Sequence, residues 1–151
     1  MIDDVRLIKA RKVQVRTLDS FELDNVSFIK IDVEGHEEAV IEGARGLLLR
    51  NRPVLLVESE DRHNPGAPNR LIAQLKAMNF DAYFLRRGKL HVVADLTSEE
   101  STFSEEKYAN HGYVNNYIFV PAELDHKKDA LRKAIEQLPR NLVRVLNSGS
   151  A

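Results

Sequence analysis

Polar and apolar residues alternate over Lys12 to Leu18 (KVQVRTL), with Val13, Val15 and Thr17 on one side and Gln14, Arg16 and Leu18 on the other. That period of two predicts a strand with one polar face, near a sheet edge. Before it, Asp3 and Asp4 are placed to cap a brief helix carrying Val5, Leu7 and Ile8. Phe28, Ile29, Ile31 and Val33 give Ser27 to Val33 enough apolar bulk for a parallel strand covered on both faces. Val40, Ala44, Leu47 and Leu48 then recur at helical spacing, predicting one helix from Glu37 to Arg50 that stops at Asn51-Arg52-Pro53. Gly43 and Gly46 weaken such a helix by up to about 1 kcal/mol each, and close packing on the sheet is a reason for them.

Val54 to Glu60 (VLLVESE) repeats the plan of an apolar run ending in acids. Asn64 to Pro68 reads as a loop, with Asn69 capping a helix over Arg70 to Met78 that ends at Asn79. Ala82 to Leu85 and Leu90 to Ala94 flank Arg86-Arg87-Gly88-Lys89 as a hairpin. Thr97 to Asn110 is an acidic loop with some helical character, and Tyr113 to Val120 is a last strand closed by Pro121. Leu124, Leu131, Ile135 and Leu138 mark an amphipathic helix to about Gln137, with a second short helix after it. Asn147 to Ala151 is a frayed end or an expression remnant. This order predicts an α/β fold in which a parallel unit is finished by antiparallel strands.

Composition narrows the class without changing that picture. A chain of 151 residues makes about one domain, able to bury close to 70% of its unfolded surface. We divide it into residues 1–121, the α/β domain, and 122–151, a helical tail packed on or beside it. A net charge of -1 gives no field that would draw it to nucleic acid or a membrane surface. There is no cysteine, hence no disulfide framework or thiolate metal site, and no apolar run of about 18 residues. The expectation is a cytoplasmic domain.

The chemistry gathers at FIKIDVEGHEE, Phe28 to Glu38. Lys30, Asp32 and Glu34 share one face if strand geometry persists, and Glu58 and Glu60 share one face of the following strand. Parallel neighbours lie about 4.8 Å apart. Two strands ending together therefore collect four carboxylates, one lysine and His36 at the carboxyl edge, where open α/β sheets keep their ligands. Like charges that close raise one another's pKa unless a cation or proton intervenes. The answering cation is Lys30, a divalent metal, or a positively charged substrate or cofactor; no His-x-x-His-like spacing supports a metal. Blander roles stand beside these. Glu37 and Glu38 suit the positive end of a helix without function, Lys30 suits a salt bridge to Asp32, and Gly35 suits a backbone necessity. His36 and Glu58 stand between solvated residue and working group, with His36 a general-base candidate.

VRTLDSF (Val15 to Phe21), FIKIDVEGHE (Phe28 to Glu37), GARGLL (Gly43 to Leu48), RPVLLVE (Arg52 to Glu58) and NNYIFVP (Asn115 to Pro121) resemble the FkbM-type S-adenosylmethionine-dependent methyltransferases. The resemblance implies a Rossmann-like sheet of order 3-2-1-4-5-7-6, with helices on both faces, and methyl transfer to a hydroxyl of a sugar or natural product. By position, Lys12 to Leu18 would be the third strand, with Asp19 at the adenine. Phe28 to Val33 would be the fourth, with Asp32, Glu34 and His36 bordering the transfer site and Asp32 or His36 as base. Glu58 would end the fifth. With the residues read above, the expected set is Asp32, Glu34, His36 and Lys30 as catalytic, Asp19 and Asp32 as cofactor-binding, and Glu58 and Glu60 as acceptor-binding. The family's glycine-rich cofactor loop has no counterpart, since Met1 to Lys12 contains no glycine. The expectation is a partial domain that binds S-adenosylmethionine weakly or not at all and takes a small hydroxyl-bearing acceptor. Its fourth strand would be left with an open edge, covered either by Lys12 to Leu18 or by a second copy of the chain. A non-catalytic α/β binding module is the alternative, and a metal-dependent hydrolase a weaker third.

Overall fold

The computed structural model describes residues 11–86, 88–110 and 112–137. The expected helix before Lys9, Arg87 of the hairpin turn, Leu138, the second short helix and the Asn147 to Ala151 end lie outside them. Five strands make one mixed sheet: β1 (Phe28–Ile31), β2 (Val54–Glu58), β3 (Phe80–Arg86), β4 (Lys89–Val92) and β5 (Asn116–Pro121). Their order is β1-β2-β5-β3-β4. β1 and β2 are parallel, Phe28 opposite Val54 and Ile31 opposite Val57. A parallel pair needs a long crossover, supplied here by α1 (Glu37–Glu42) and α2 (Arg45–Asn51). β5 runs antiparallel to both β2 and β3, and β3 turns back into β4 through Gly88, at φ 74°.

Strand alternation divides the apolar residues between two faces. Ile31, Leu55, Val57, Tyr117 and Phe119 bury one face against α1, α2 and α3 (Ala67–Ala77) through Ile41, Leu47, Leu48, Leu71 and Leu75. The other face carries Tyr83, Ile118 and Val120, with Leu131 of α6 (Asp125–Glu136) packed against them. Two short helices, α4 (Ser98–Ser101) and α5 (Glu105–Ala109), occupy the acidic stretch. β5 is fully buried from Tyr117 to Pro121, as its position between two strands requires.

Several expectations are corrected. Lys12 to Leu18 is not a strand: residues 11–17 carry no regular structure, and Val15 is 93% exposed. Alternation marks a segment able to pair, but a strand exists only where a ladder partner accepts it. It therefore does not cover β1, whose outer edge has no partner within the described chain. β1 is also not covered on both faces, since Phe28 is 55% exposed. The expected helix over Glu37 to Arg50 is two helices, broken at Gly43-Ala44. Asn69 does not cap α3, which begins three residues earlier behind Gly66 with Pro68 in its first turn.

The break after α1 has a cause far away in sequence. Leu18–Phe21 forms a 3-10 turn that sets Asp19 over the start of α2. Asp19 Oδ2 accepts the Gly46 N–H at 2.8 Å and Oδ1 the Leu47 N–H at 2.7 Å. These bonds hold its carboxyl below the usual carboxylate range. The two glycines serve this strap rather than the sheet: a Cβ on Gly43 would lie 3.2 Å from Thr17 Cγ2, and one on Gly46 3.1 Å from Asp19 Oδ2. Asp19→Ala is expected to lower the melting temperature by about 4 °C, the usual effect of losing a helix cap in a chain of this size. The loss shrinks as pH falls through the depressed Asp19 value, where the wild-type carboxylate is itself protonated. Thermal unfolding followed by circular dichroism at neutral and acid pH checks both.

Candidate active site

β1 and β2 end side by side because Ile31 pairs with Val57. Beyond them the two chains turn away, and their acids meet around a pocket of about 160 Å³. Asp32 and Glu34 from the first strand, Glu58 and Glu60 from the second, and Glu37 from the first turn of α1 line it, with Arg62 and His63. The four expected carboxylates thus come together, although strand geometry does not persist to Glu34: β1 ends at Ile31, and the turn beyond it places Glu34 at the pocket.

Each acid is held differently. Asp32 is partly exposed and takes Lys30 Nζ at 3.1 Å. Glu34 sits on the surface at φ 49°, where the chain leaves strand geometry. Glu60 is 3% exposed, and its Oε2 faces the Arg62 guanidinium and, at 3.7 Å, His63 Nε2. The buried Asn115 joins the two acids of the second strand, its Nδ2 donating to Glu58 Oε1 at 2.9 Å and Glu60 Oε1 at 2.7 Å. Burial pushes the Glu58 carboxyl up, and the charges of Asp32 and Glu60 push it the same way.

The turn at Gly35 makes this geometry. Its φ of 97° swings the chain back, its N–H donates to Glu37 Oε1 at 2.8 Å, and its carbonyl accepts from Asn64 Nδ2 at 3.3 Å. Glu37 is thereby drawn inward until it is 1% exposed, its Oε2 buried with no hydrogen-bond partner among the described residues. A role only at the helix end, the sequence expectation for Glu37, does not describe this placement. Glu38 keeps a structural part, forked by Arg70 at 2.9 to 3.1 Å across to α3.

His36 stands apart. It precedes α1 as an exposed residue, makes no side-chain cap and does not line the pocket. The pocket's imidazole is His63, which the sequence reading missed together with Arg62 and Asn115. The available signal was their spacing: Arg62 and His63 follow Glu60 by two and three residues, within reach of the same turn. Asp19 also lies outside the pocket, both oxygens committed to α2.

A second, larger cavity of about 800 Å³ lies on the α6 side of the sheet, walled by Phe28, Val54, Leu56, Ile118, Leu131 and Ile135. Asn115 also lines it, so one residue borders the apolar cavity and hydrogen-bonds the acids of the polar pocket. Among the described residues no group of three or more His, Asp or Glu is arranged to hold a metal ion. Nor is any helix there long and apolar enough to cross a membrane.

Glu58 supplies a test of this electrostatic picture. A carboxyl raised in the fold favours folding while protonated, so its contribution is lost as pH rises from its ordinary 4.5 through the raised value. Glu58→Gln is expected to flatten the fall in stability over that window, by under ~1 kcal/mol because the group is partly solvated. Urea midpoints measured across the window for both proteins check it.

No curated protein and no solved structure matches the chain. A family model does: the methyltransferase FkbM domain matches residues 4–87, more than half of the sequence. The match includes β1, the acidic turn, β2 and the His63 loop, which is the segment that builds the pocket. With the acids placed at the carboxyl ends of the two parallel strands, the chain belongs to the FkbM methyltransferase family.

Proposed function

We propose that these residues form the acceptor side of an S-adenosylmethionine-dependent O-methyltransferase, acting on a hydroxyl of a small molecule. The observation that carries the reading is the set of carboxylates at the ends of β1 and β2. The strand order β1-β2-β5-β3 supports it too, since it can be laid on strands 4-5-7-6 of the Rossmann-like sheet that the resemblance implies.

S-adenosylmethionine, when bound, supplies an electrophilic methyl on a positively charged sulfur. The donor set suits that charge: Asp32 and Glu34 at the pocket rim are acceptor-only groups open to solvent. The nucleoside half finds no such fit among the described residues, because both oxygens of Asp19 are occupied by α2. The chain's own work is then to hold the acceptor and take its proton. A carboxylate with raised pKa is the better base near neutrality, which favours Glu58 over the exposed Asp32. Lys30 steadies Asp32, Asn115 fixes the Glu58 carboxyl, and His63 stands where His36 was expected. The apolar cavity beyond Asn115 is proposed to take the acceptor's body. The free β1 edge is where a second copy would pair, and a size measurement in solution reads it.

Equilibrium titration with S-adenosylmethionine and S-adenosylhomocysteine tests this. Both are expected to bind more weakly than the low micromolar range, because both oxygens of Asp19, the residue expected at the adenine, are committed to α2. The sulfonium is expected to bind better than the neutral thioether, and Asp32→Asn to abolish the difference. Equal affinities would sink the assignment of the carboxylates. The commitment of both Asp19 oxygens to α2 favours one other reading, a non-catalytic binding module, and wild-type behaviour of an Asp32→Ala, Glu58→Gln double variant in the cellular context would support it.

A further inference from the structure

The inner half of the acidic pocket is more negative than its own cations answer. Lys30 pairs with Asp32 and Arg62 with Glu60. Glu34, Glu37 and Glu58 form no ion pair among the described residues, and Glu37 and Glu58 are the two drawn inside. Glu37 decides the matter. It is 1% exposed, one oxygen accepts the Gly35 N–H, and the other is buried without a partner beside the pocket it lines. A buried carboxylate oxygen with nothing to accept from is costly, and a ligand that donates to it removes that cost.

Size and charge define the ligand. About 160 Å³ is enough for an aminomethyl group and its hydration but well below the roughly 300–1,000 Å³ of sites that enclose a drug-sized ligand. The ligand must be cationic and must carry N–H donors, because every unsatisfied wall group is an acceptor. A divalent metal answers the charge but demands several oxygens at about 2.0–2.6 Å in one coordination sphere, and no such group is present among the described residues. An ammonium asks less: three N–H donors toward separate carboxylates, each a charge-assisted hydrogen bond.

We propose that the pocket formed by Glu37, Glu58 and Glu60 binds a protonated primary amine, carried by the methyl acceptor beside its reacting hydroxyl. The acceptor is then an amino alcohol or amino sugar, its ammonium seated on Glu37 and its reacting hydroxyl toward Glu58. The amine's role in acceptor choice rests on the transfer reading of this site; the binding does not, and it can be measured with no cofactor present.

The probe is 2-aminoethanol, titrated into the isotopically labelled full chain, with ethylene glycol, tetramethylammonium and magnesium chloride as separate arms. Saturable amide shifts are expected at Gly35, Glu37, Glu58 and His63 with 2-aminoethanol. Ethylene glycol lacks the charge and tetramethylammonium the donors, so each is expected to bind at least tenfold more weakly. Glu37→Gln keeps an acceptor for the Gly35 N–H but turns a donor toward the ligand, and is expected to weaken the amine about tenfold, the effect of one lost hydrogen bond to a charged group. Should that variant unfold, the four-probe comparison on the wild-type chain still decides. The proposal is overturned if ethylene glycol matches the amine, if tetramethylammonium does, if magnesium displaces it at lower concentration, or if the shifts fall outside the pocket. An amine that binds as expected while S-adenosylmethionine and S-adenosylhomocysteine bind equally would sink the transfer reading alone.

Discussion

Arg52→Ala is expected to destabilise the protein by about 3 kcal/mol, a fall of roughly 10 °C in melting temperature. Arg52 ends α2 in the left-handed region at φ 49°, and its side chain locks three chain ends together. Nη1 donates to the Met78 carbonyl at 2.9 Å and Nη2 to the Asn79 carbonyl at 2.8 Å, both at the end of α3. Nε and Nη2 also fork the Glu123 carboxylate, at 2.6 and 2.8 Å, just beyond β5. The guanidinium lies 4.3 Å from the Phe80 ring centroid. Alanine removes the fork and the cation–π contact and leaves the Met78 carbonyl without its Arg52 donor, while the Asn79 carbonyl keeps the Ala122 N–H at 2.9 Å; the Met78 bond contributes about 1 kcal/mol and each remaining contact under ~1. The exposed Glu123 share is the small one, although these bonds hold its carboxyl down to about 2. Glu123→Ala should therefore cost less than ~1 kcal/mol. Arg52→Gly should cost about 1 kcal/mol less than Arg52→Ala, because glycine relieves the left-handed backbone. Urea unfolding of the three variants separates these contributions, and equal losses for Arg52→Ala and Glu123→Ala would refute the three-way lock.

Gly35→Val is the other large effect, expected at about 3 kcal/mol from a backbone held in a disfavoured region and a crowded contact. At φ 97° a β-branched residue is strained whatever space it finds, and its Cβ would lie 3.2 Å from His63 Cβ. The neighbour cannot simply step aside, since His63 backbone atoms are also within 3.5 Å. The substitution also displaces the N–H that draws Glu37 inward. Two readouts should move together: the urea midpoint falls, and S-adenosylmethionine loses its advantage over the thioether. A variant that is destabilised yet keeps the sulfonium preference would separate the turn from the pocket.

The turn also shows how much of this protein can be seen in a linear sequence. Strand pairing is a simple rule, so the approach of Asp32, Glu58 and Glu60 follows from two apolar runs ending in acids, whereas Glu34 reaches the pocket through the turn rather than by strand alternation. Helix stops at Asn51-Arg52-Pro53 and Asn79 and the hairpin at Gly88 are equally local. Failures came where a distant partner decides. Val13 and Val15 alternate like a strand but have no ladder to join. Gly43 and Gly46 look like weak points of one helix until Asp19, 27 residues before Gly46, is seen to cap a second one. Glu37 and His36 are adjacent, and spacing cannot say that a left-handed glycine turns the first inward and leaves the second in solvent. His63 enters from a loop whose path is set by Asn64 on Gly35 and Asp61 on Gly66.

The place of β5 sets an order of assembly. It is the last strand among the described residues and the middle one in the sheet, between β2 and β3. While the polypeptide emerges from the ribosome, β2 can pair with β1 and β3 with β4, but β2 and β3 do not pair with each other, and the two halves must wait for residues 116–121 to join them. Until then Leu55, Val57 and Phe80 have no finished sheet to bury them, and the growing chain presents the inner edges of β2 and β3 in addition to the outer edges of β1 and β4. Long-range pairing of this kind is slow and exposes sticky intermediates, so the nascent protein is most in need of a chaperone just before its final helix is made.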